Sequence, residues 1–197
     1  MLFDRNALFV REKVAFAKLT DTYELFDPAT QMTVGEVRDE PSAWAKWFRL
    51  LVNKSLMPTR FQVYESGRPD PVLTVVKHPQ FLRPRMEVHF LGRLLARFQG
   101  RIFSWRHVFD VLDPVSGQPM AELRGDWKGW NFQVLGPDGR ARAVITKKWS
   151  GLGRELFTTA DAYMVALAEG ASADPSGLAL ALAAAIALDA ARKDQKQ

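Results

Sequence analysis

The chain alternates apolar and polar residues over most of its length and then changes to a continuous apolar run near its C-terminus. Between residues 20 and 150, two alternating segments joined by a turn of Asp, Pro or Gly recur as a unit. Alternation with a period of two is typical of strands with one buried face, and such turns join strands into hairpins. Five units predict at least ten antiparallel strands. The units begin at Tyr23, Phe61, Met86, Phe109 and Phe132.

The apolar run near the C-terminus predicts a helix over residues 175–191. Asp174 followed by Pro175 is a helix start signal, and the Ala/Leu run behind it has a strong helix propensity. Such a helix is about 25 Å long, which is short for a bilayer core of about 30 Å. Because its large aliphatic side chains point to all sides, it needs protein all around it. Asp189 within it is expected near a barrel mouth or beside an arginine.

Together these two patterns favour a mainly β (α+β) fold. Large antiparallel meanders remove their edges by closure, and a closed barrel would surround the apolar helix. We therefore predict a closed antiparallel barrel around the C-terminal helix, with a two-sheet sandwich as the alternative. The length of 197 residues predicts one domain over residues 1–191, followed by a polar tail at 192–197.

A second helix is predicted near residues 41–53. It is amphipathic, because Trp44, Trp47, Phe48 and Leu51 fall at positions i, i+3, i+4 and i+7. A tryptophan-rich stripe flanked by basic residues is typical of a helix at a membrane interface. The same stripe also suits a helix that covers one end of the barrel, and this alternative stays open.

Charge and composition narrow the class of function. The formal net charge of +5 favours anionic partners, either lipid surfaces or nucleic acid. The sequence contains no cysteine, which excludes disulfides and thiol catalysis. It also lacks a Gly-x-Ser-x-Gly elbow and a His-Glu-x-x-His motif, so we expect no enzyme activity. Charged residues near the N-terminus interrupt any signal-peptide core, which predicts a cytoplasmic protein.

Five basic residues are candidates for holding lipid phosphates: Arg140, Arg142, Lys147, Lys148 and Arg154. In a strand, Arg140, Arg142 and Lys148 share a face. Arginine and lysine bind phosphate through charge-assisted hydrogen bonds. The alternative is a solvated barrel exterior, on which these cations pair with Asp and Glu across strands.

Residues 143–163 resemble the phospholipid scramblase family. They read Ala-Val-Ile-Thr-Lys-Lys-Trp-Ser-Gly-Leu-Gly-Arg-Glu-Leu-Phe-Thr-Thr-Ala-Asp-Ala-Tyr. This is similar to the family's Ile-x-Lys-x-Trp strand, Gly-Leu-x-Arg-Glu turn and Phe-Thr-Asp-Ala-Asp segment, which precede a hydrophobic C-terminal helix. The weaker hairpin pattern extends the resemblance over most of residues 20–191. It implies the fold of Tubby C-terminal and LURP-one-related domains, a barrel of about 12 antiparallel strands around a central helix.

The resemblance also implies a function. It indicates a non-enzymatic protein that interacts with anionic phospholipid and promotes lipid movement between leaflets, peripheral at the inner face of the plasma membrane. The alternative is a Tubby-like or LURP-like module that binds phosphoinositides or a protein partner without scrambling. Nucleic acid is disfavoured as a partner, because the chain shows no recognition helix or stacking motif.

The calcium-binding segment that the resemblance implies is not retained in this chain. Calcium requires several carboxylate or carbonyl oxygens at alternate loop positions. Thr159 replaces the first acidic residue of the family pattern, and Gly170 stands where the closing acid would fall. Only Asp161 is retained. We therefore predict no cofactor and no functional calcium site, with Asp161 capping or solvating a turn.

Overall fold

The computed structural model describes residues 1–13, 22–41, 58–79, 83–101, 107–147, 162–171 and 174–195. Within these ranges the chain forms twelve strands and one helix, α1, at Pro175–Gln195. The strands are β1 Ala7–Glu12, β2 Thr22–Phe26, β3 Thr33–Pro41, β4 Thr59–Glu65, β5 Pro71–Lys77, β6 Arg85–Phe90, β7 Arg93–Gly100, β8 His107–Leu112, β9 Pro119–Asp126, β10 Asn131–Leu135, β11 Ala141–Thr146 and β12 Ala162–Leu167.

The twelve strands form a closed antiparallel barrel in simple meander order. Each strand pairs with its neighbours in sequence, and β1 pairs with β12 to close the sheet. In this closing ladder Leu8 lies opposite Val165, and Phe9 lies opposite Met164. The predicted barrel around a C-terminal helix is confirmed. The sandwich alternative is excluded, because two separate sheets would have edge strands and each of the twelve strands pairs on both sides.

The inward-facing side chains of the strands, which alternate along each strand, fill the barrel interior together with α1. Phe98, Phe109 and Phe132 are fully buried, as are Leu178 and Leu182 on the helix. A barrel of this size encloses a wide interior, and the helix fills it with aliphatic side chains. The apolar surface on all sides of α1 is thereby removed from water.

α1 begins at the predicted residue and ends four residues beyond the predicted end. The Asp174 carboxylate caps it by accepting a hydrogen bond from the backbone N–H of Ser176 at 3.3 Å. Arg192 and Lys193, which were expected in a polar tail, belong to the helix. Arg192 pairs with Asp189 and Lys193 pairs with Glu12, and these ion pairs stabilise the last turns. By length and mean hydropathy (1.3), Pro175–Lys193 could span a membrane, yet 72% of its most apolar window is buried in the barrel.

The helix runs through the barrel from one end to the other. We call the end at which Glu12, Tyr23 and Asp189 meet the exit rim, and the end at which α1 begins at Pro175 the entry rim. Short turns join β2 to β3, β4 to β5, β6 to β7, β8 to β9 and β10 to β11 at the entry rim. Odd-numbered strands end at the exit rim, where even-numbered strands begin.

Candidate lipid-binding surface

Asp189 on α1 holds together a cluster of polar side chains at the exit rim. Its side chain is 5% exposed and accepts hydrogen bonds from the Tyr23 hydroxyl and from Arg192, with Nη2–Oδ1 at 3.2 Å. Lys193 Nζ lies 3.0 Å from Asp189 Oδ2 and 3.0 Å from Glu12 Oε1. The cluster therefore ties the last turns of α1 to β1 and β2. The expectation that Asp189 lies near a barrel mouth beside an arginine is confirmed.

Two buried tyrosines complete this cluster. Burial raises the pKa of the Tyr23 phenol well above its usual value, and the Asp189 carboxylate raises it further. Burial raises the pKa of Tyr163 in the same way, with smaller contributions from Asp189 and Glu12. Both phenols stay protonated at neutral pH, where Tyr23 donates its hydrogen bond to Asp189 and Tyr163 packs against Trp130.

Next to the cluster, Trp130 forms an aromatic and cationic platform. Trp130 is 5% exposed and packs edge to face against Trp127 and Phe132, with ring centroids 5.7 and 5.5 Å away. The Arg192 guanidinium lies 4.6 Å from the Trp130 ring centroid, and the Lys147 ammonium lies 5.3 Å from it. Within the described ranges, no acceptor reaches the Trp130 indole Nε1. Tryptophan beside lysine and arginine is the combination that suits a lipid headgroup layer.

The turn between β9 and β10 positions this platform. The Asp126 carboxylate accepts hydrogen bonds from the backbone N–H groups of Lys128 and Gly129, at 2.9 and 3.0 Å. Trp130 then adopts a positive φ of 46°, which is uncommon for a residue other than glycine. Gly125 leaves space for Phe132, since a Cβ at this glycine would lie 2.4 Å from Phe132 Cδ1. The turn therefore aims two tryptophans at the exit rim.

The structure separates the predicted basic residues along β11. Arg140 and Arg142 lie at the entry rim, where Arg142 Nη2 donates to Asp138 Oδ2 at 2.9 Å and Arg140 Nε lies 4.0 Å from the same oxygen. Lys147 follows the other end of β11 and contacts the exit-rim platform. Five residues of strand place it about 17 Å from Arg142. Arg140 and Arg142 thus lie together, whereas Lys147 belongs to a different surface.

The remaining candidates from the sequence lie outside the described residues. They lie in sequence between β3 and β4 or between β11 and β12. β3 and β11 end at the exit rim, and β4 and β12 begin there. Among the residues that the structure describes, no group of three His, Asp or Glu side chains is placed to hold a metal ion. The candidates concerned are Trp44, Trp47, Phe48, Leu51, Lys148, Arg154 and Asp161.

A groove of about 590 Å³ lies on the outer wall of the barrel, across β2, β3 and β4. Its three cations face three glutamates, so the groove carries no net positive charge. Lys13 pairs with Glu24 and Arg68 with Glu65, at 3.0 and 3.1 Å, and Arg38 pairs with Glu36. Burial alone would raise the pKa of Glu24, but hydrogen bonds from Arg11 and Lys13 outweigh it and lower that pKa. The groove is therefore a poorer anion site than the exit rim.

Sequence reasoning missed most of the exit-rim contacts. No local pattern marks Tyr23 as a partner of Asp189 and Lys193, because these residues lie 166 and 170 positions away in the chain. The Trp127-Lys128-Gly129-Trp130 turn did carry a signal, since two tryptophans flank a lysine within four residues. Only the closed barrel shows that this turn lies beside the C-terminal end of α1.

The family model described as Scramblase matches residues 92–192, just over half of the chain. The matched residues comprise β7 to β12 and nearly all of α1. No curated protein and no solved structure matches the chain. The resemblance found in residues 143–163 is thereby confirmed, and the chain belongs to the Scramblase family.

Proposed function

We propose that this protein is a non-enzymatic, scramblase-like protein that binds phospholipid and promotes its movement between leaflets. The family match over residues 92–192 carries the proposal, and it supports a scramblase-like or related lipid-interacting role in general. The match includes the central helix and half of the barrel, so it concerns the structural core of the protein.

The buried position of α1 constrains how the protein would act on lipids. Moving a charged headgroup through about 30 Å of hydrocarbon requires a polar path across the bilayer. α1 is the one described helix with the length and hydropathy of a span, and the barrel surrounds it. We therefore propose a peripheral protein at the cytoplasmic membrane face that perturbs lipid packing. We further propose that it acts without calcium.

Reconstitution into vesicles tests scrambling directly. Vesicles that contain a fluorescent phospholipid are treated with dithionite, which bleaches the outer leaflet alone when lipids do not exchange. We expect bleaching beyond the outer leaflet at the same rate in calcium and in chelator, with heat-denatured protein as the control. Bleaching that stops at the outer leaflet in both conditions would refute scrambling, and bleaching in calcium alone would refute calcium independence.

The second candidate is a binding module that recognises anionic headgroups without scrambling. The enclosure of α1 favours it, because 72% of the most apolar window of this helix is buried inside the barrel and so kept from lipid. Flotation with anionic vesicles separates the two candidates. Flotation together with bleaching confined to the outer leaflet would support the module, whereas a protein that neither floats nor scrambles would refute both.

A further inference from the structure

Among the described residues that lie outside the strands and the helix, the two rims of the barrel differ in charge. At the entry rim, the described residues outside the strands and helix include seven acidic and three basic side chains. At the exit rim, the described residues between strands include five basic side chains and no acidic one. The five are Lys13, Arg83, Arg101, Lys128 and Lys147.

Part of this positive charge is compensated and part faces solvent. Lys13 pairs with Glu24 at 3.0 Å, and Arg101 pairs with Asp110 at 2.9 Å. Arg83 and Lys128 are exposed. Arg83 and Lys128 therefore face solvent at the exit rim, whereas Lys13 and Arg101 are paired with carboxylates on neighbouring strands.

Aromatic residues lie at the same rim. Trp127 and Trp130, the two tryptophans within the described ranges, both belong to the β9–β10 turn. Lys147 and Arg192 lie over the Trp130 ring, at 5.3 and 4.6 Å from its centroid. Trp130 is buried and packs against Trp127, which is partly exposed beside the exposed Lys128. A partly exposed tryptophan next to a lysine suits the boundary between the polar and apolar layers of a membrane.

We propose that the exit rim is the membrane-docking face of the barrel, with the C-terminal end of α1 toward an anionic bilayer and the entry rim away from it. This orientation rests on the proposed lipid-binding function and adds the surface through which it acts. α1 spans about 30 Å between the rims, whereas the screening length at physiological salt is about 8 Å. The acidic entry rim is then too far away to weaken binding at the exit rim.

The exit rim suits a membrane better than it suits nucleic acid. Single-stranded nucleic acid binds by stacking its bases on open aromatic faces. Trp130 is 5% exposed and packs against Trp127, Phe132 and Tyr163. Within the described ranges a base therefore meets only the partly exposed Trp127 ring, whereas binding a strand requires open rings for successive bases. Lipid headgroups need only the positive field.

Two charge-matched double variants test the orientation. Lys128→Gln with Arg83→Gln removes two exposed exit-rim cations, and Arg68→Gln with Arg140→Gln removes two cations at the entry rim. Both variants lower the net charge by the same amount. Affinity for phosphatidylcholine vesicles containing phosphatidylserine is measured by flotation. A cation near such a surface strengthens binding about fivefold, so we expect about 25-fold weaker binding for the exit-rim variant and less than about twofold for the entry-rim variant.

A second readout does not depend on charge. Vesicles with brominated acyl chains quench the fluorescence of indoles that lie close to the bilayer, so we expect quenching of the bound wild-type protein. Thermal unfolding confirms that each variant is folded. Loss of binding in the entry-rim variant alone, or equal losses in both variants, would overturn the orientation and leave the proposed function standing. Wild-type protein that fails to float would refute the proposed function. Binding of single-stranded DNA without flotation, lost in the exit-rim variant and kept in the entry-rim variant, would assign the exit rim to nucleic acid.

Discussion

Both rims of the barrel hold carboxylates paired with cations, but in different surroundings. At the exit rim the Asp189 side chain is 5% exposed and contacts Tyr23, Arg192 and Lys193. At the entry rim the Asp138 side chain is 42% exposed and pairs with Arg142 at 2.9 Å. The donors are similar, but water and salt screen only the exposed pair. The contribution of each carboxylate to stability therefore depends on its burial and not on the type of donor that it contacts.

The two carboxylates also differ in what they connect. Asp138 accepts a hydrogen bond from the backbone N–H of Arg140 at 3.1 Å, so it organises its own turn. Asp189 contacts Tyr23 across 166 residues of sequence. The exit-rim cluster thus fixes the central helix to the first hairpin of the barrel. We therefore expect loss of the entry-rim pair to leave the rest of the barrel in place.

The largest expected effect is that of Leu182→Asp, which breaks the barrel between its two rims. Leu182 is fully buried on α1, so the substitution removes aliphatic packing and places a carboxylate where it finds no partner. We expect a loss of more than about 5 kcal/mol of unfolding free energy, which leaves the domain unfolded. Near-ultraviolet circular dichroism and urea unfolding measure it.

Leu182→Met is the matched control, because it conserves volume and should cost less than about 1.5 kcal/mol. A helix that served as a membrane anchor would behave differently. Its Leu182→Asp variant would keep a folded barrel and lose only membrane binding. That result would contradict the role of α1 as the core of the barrel.

The next largest effect is expected for Asp189→Ala at the exit rim. The substitution leaves Arg192, Lys193 and the Tyr23 hydroxyl without the carboxylate that they share. Arg192 and Lys193 are 23% and 28% exposed and Lys193 keeps Glu12, so the main loss is that of the hydrogen bonds to a buried acceptor, which costs about 1–3 kcal/mol. Urea unfolding measures the loss, and Asp189→Asn, which keeps an acceptor for the tyrosine, should lose less. An Asp189→Ala variant as stable as wild type would show that the cluster does not hold α1.

The sequence predicted the barrel and its helix because both depend on local patterns. Period-two alternation indicated strands, and an Ala/Leu run without a polar face indicated an enclosed helix. Arg192 and Lys193 reach Asp189 within α1, but its contact with Tyr23 depends on the closed barrel, which places β1 and β2 around the helix. Local alternation does not encode that pairing. The alternation of side chains along a strand likewise predicted that Arg140 and Arg142 share a face. It did not predict that Lys147 lies at the opposite rim, because that depends on where β11 ends.

A smaller effect is expected from the two buried tyrosines at high pH. Their raised pKa values mean that the folded protein keeps protons that the unfolded chain releases above its ordinary tyrosine pKa of about 10. Stability is therefore complete below that pH and falls as pH rises above it. Each tyrosine contributes a slope of up to about 1.4 kcal/mol per pH unit.

Urea unfolding at a series of pH values above the ordinary tyrosine pKa measures this slope. Tyr163→Phe should remove one tyrosine's share of it and leave stability at neutral pH little changed. A slope that is the same in wild type and in Tyr163→Phe would show that this phenol is not protected by burial at the exit rim.

The smallest effect is expected at the entry rim, from Asp138→Asn. The amide keeps an oxygen that accepts from the Arg140 backbone N–H and loses only the charge that faces Arg142. Because both side chains of this pair are exposed, we expect no measurable change in the thermal midpoint at physiological salt. Differential scanning calorimetry at low and high salt measures it. An Asp138→Asn variant whose thermal midpoint fell as far as that of Asp189→Ala would contradict this comparison. Burial of the carboxylate would then not explain the difference between the two rims, and the turn at Asp138 would stabilise the barrel as much as the Asp189 cluster does.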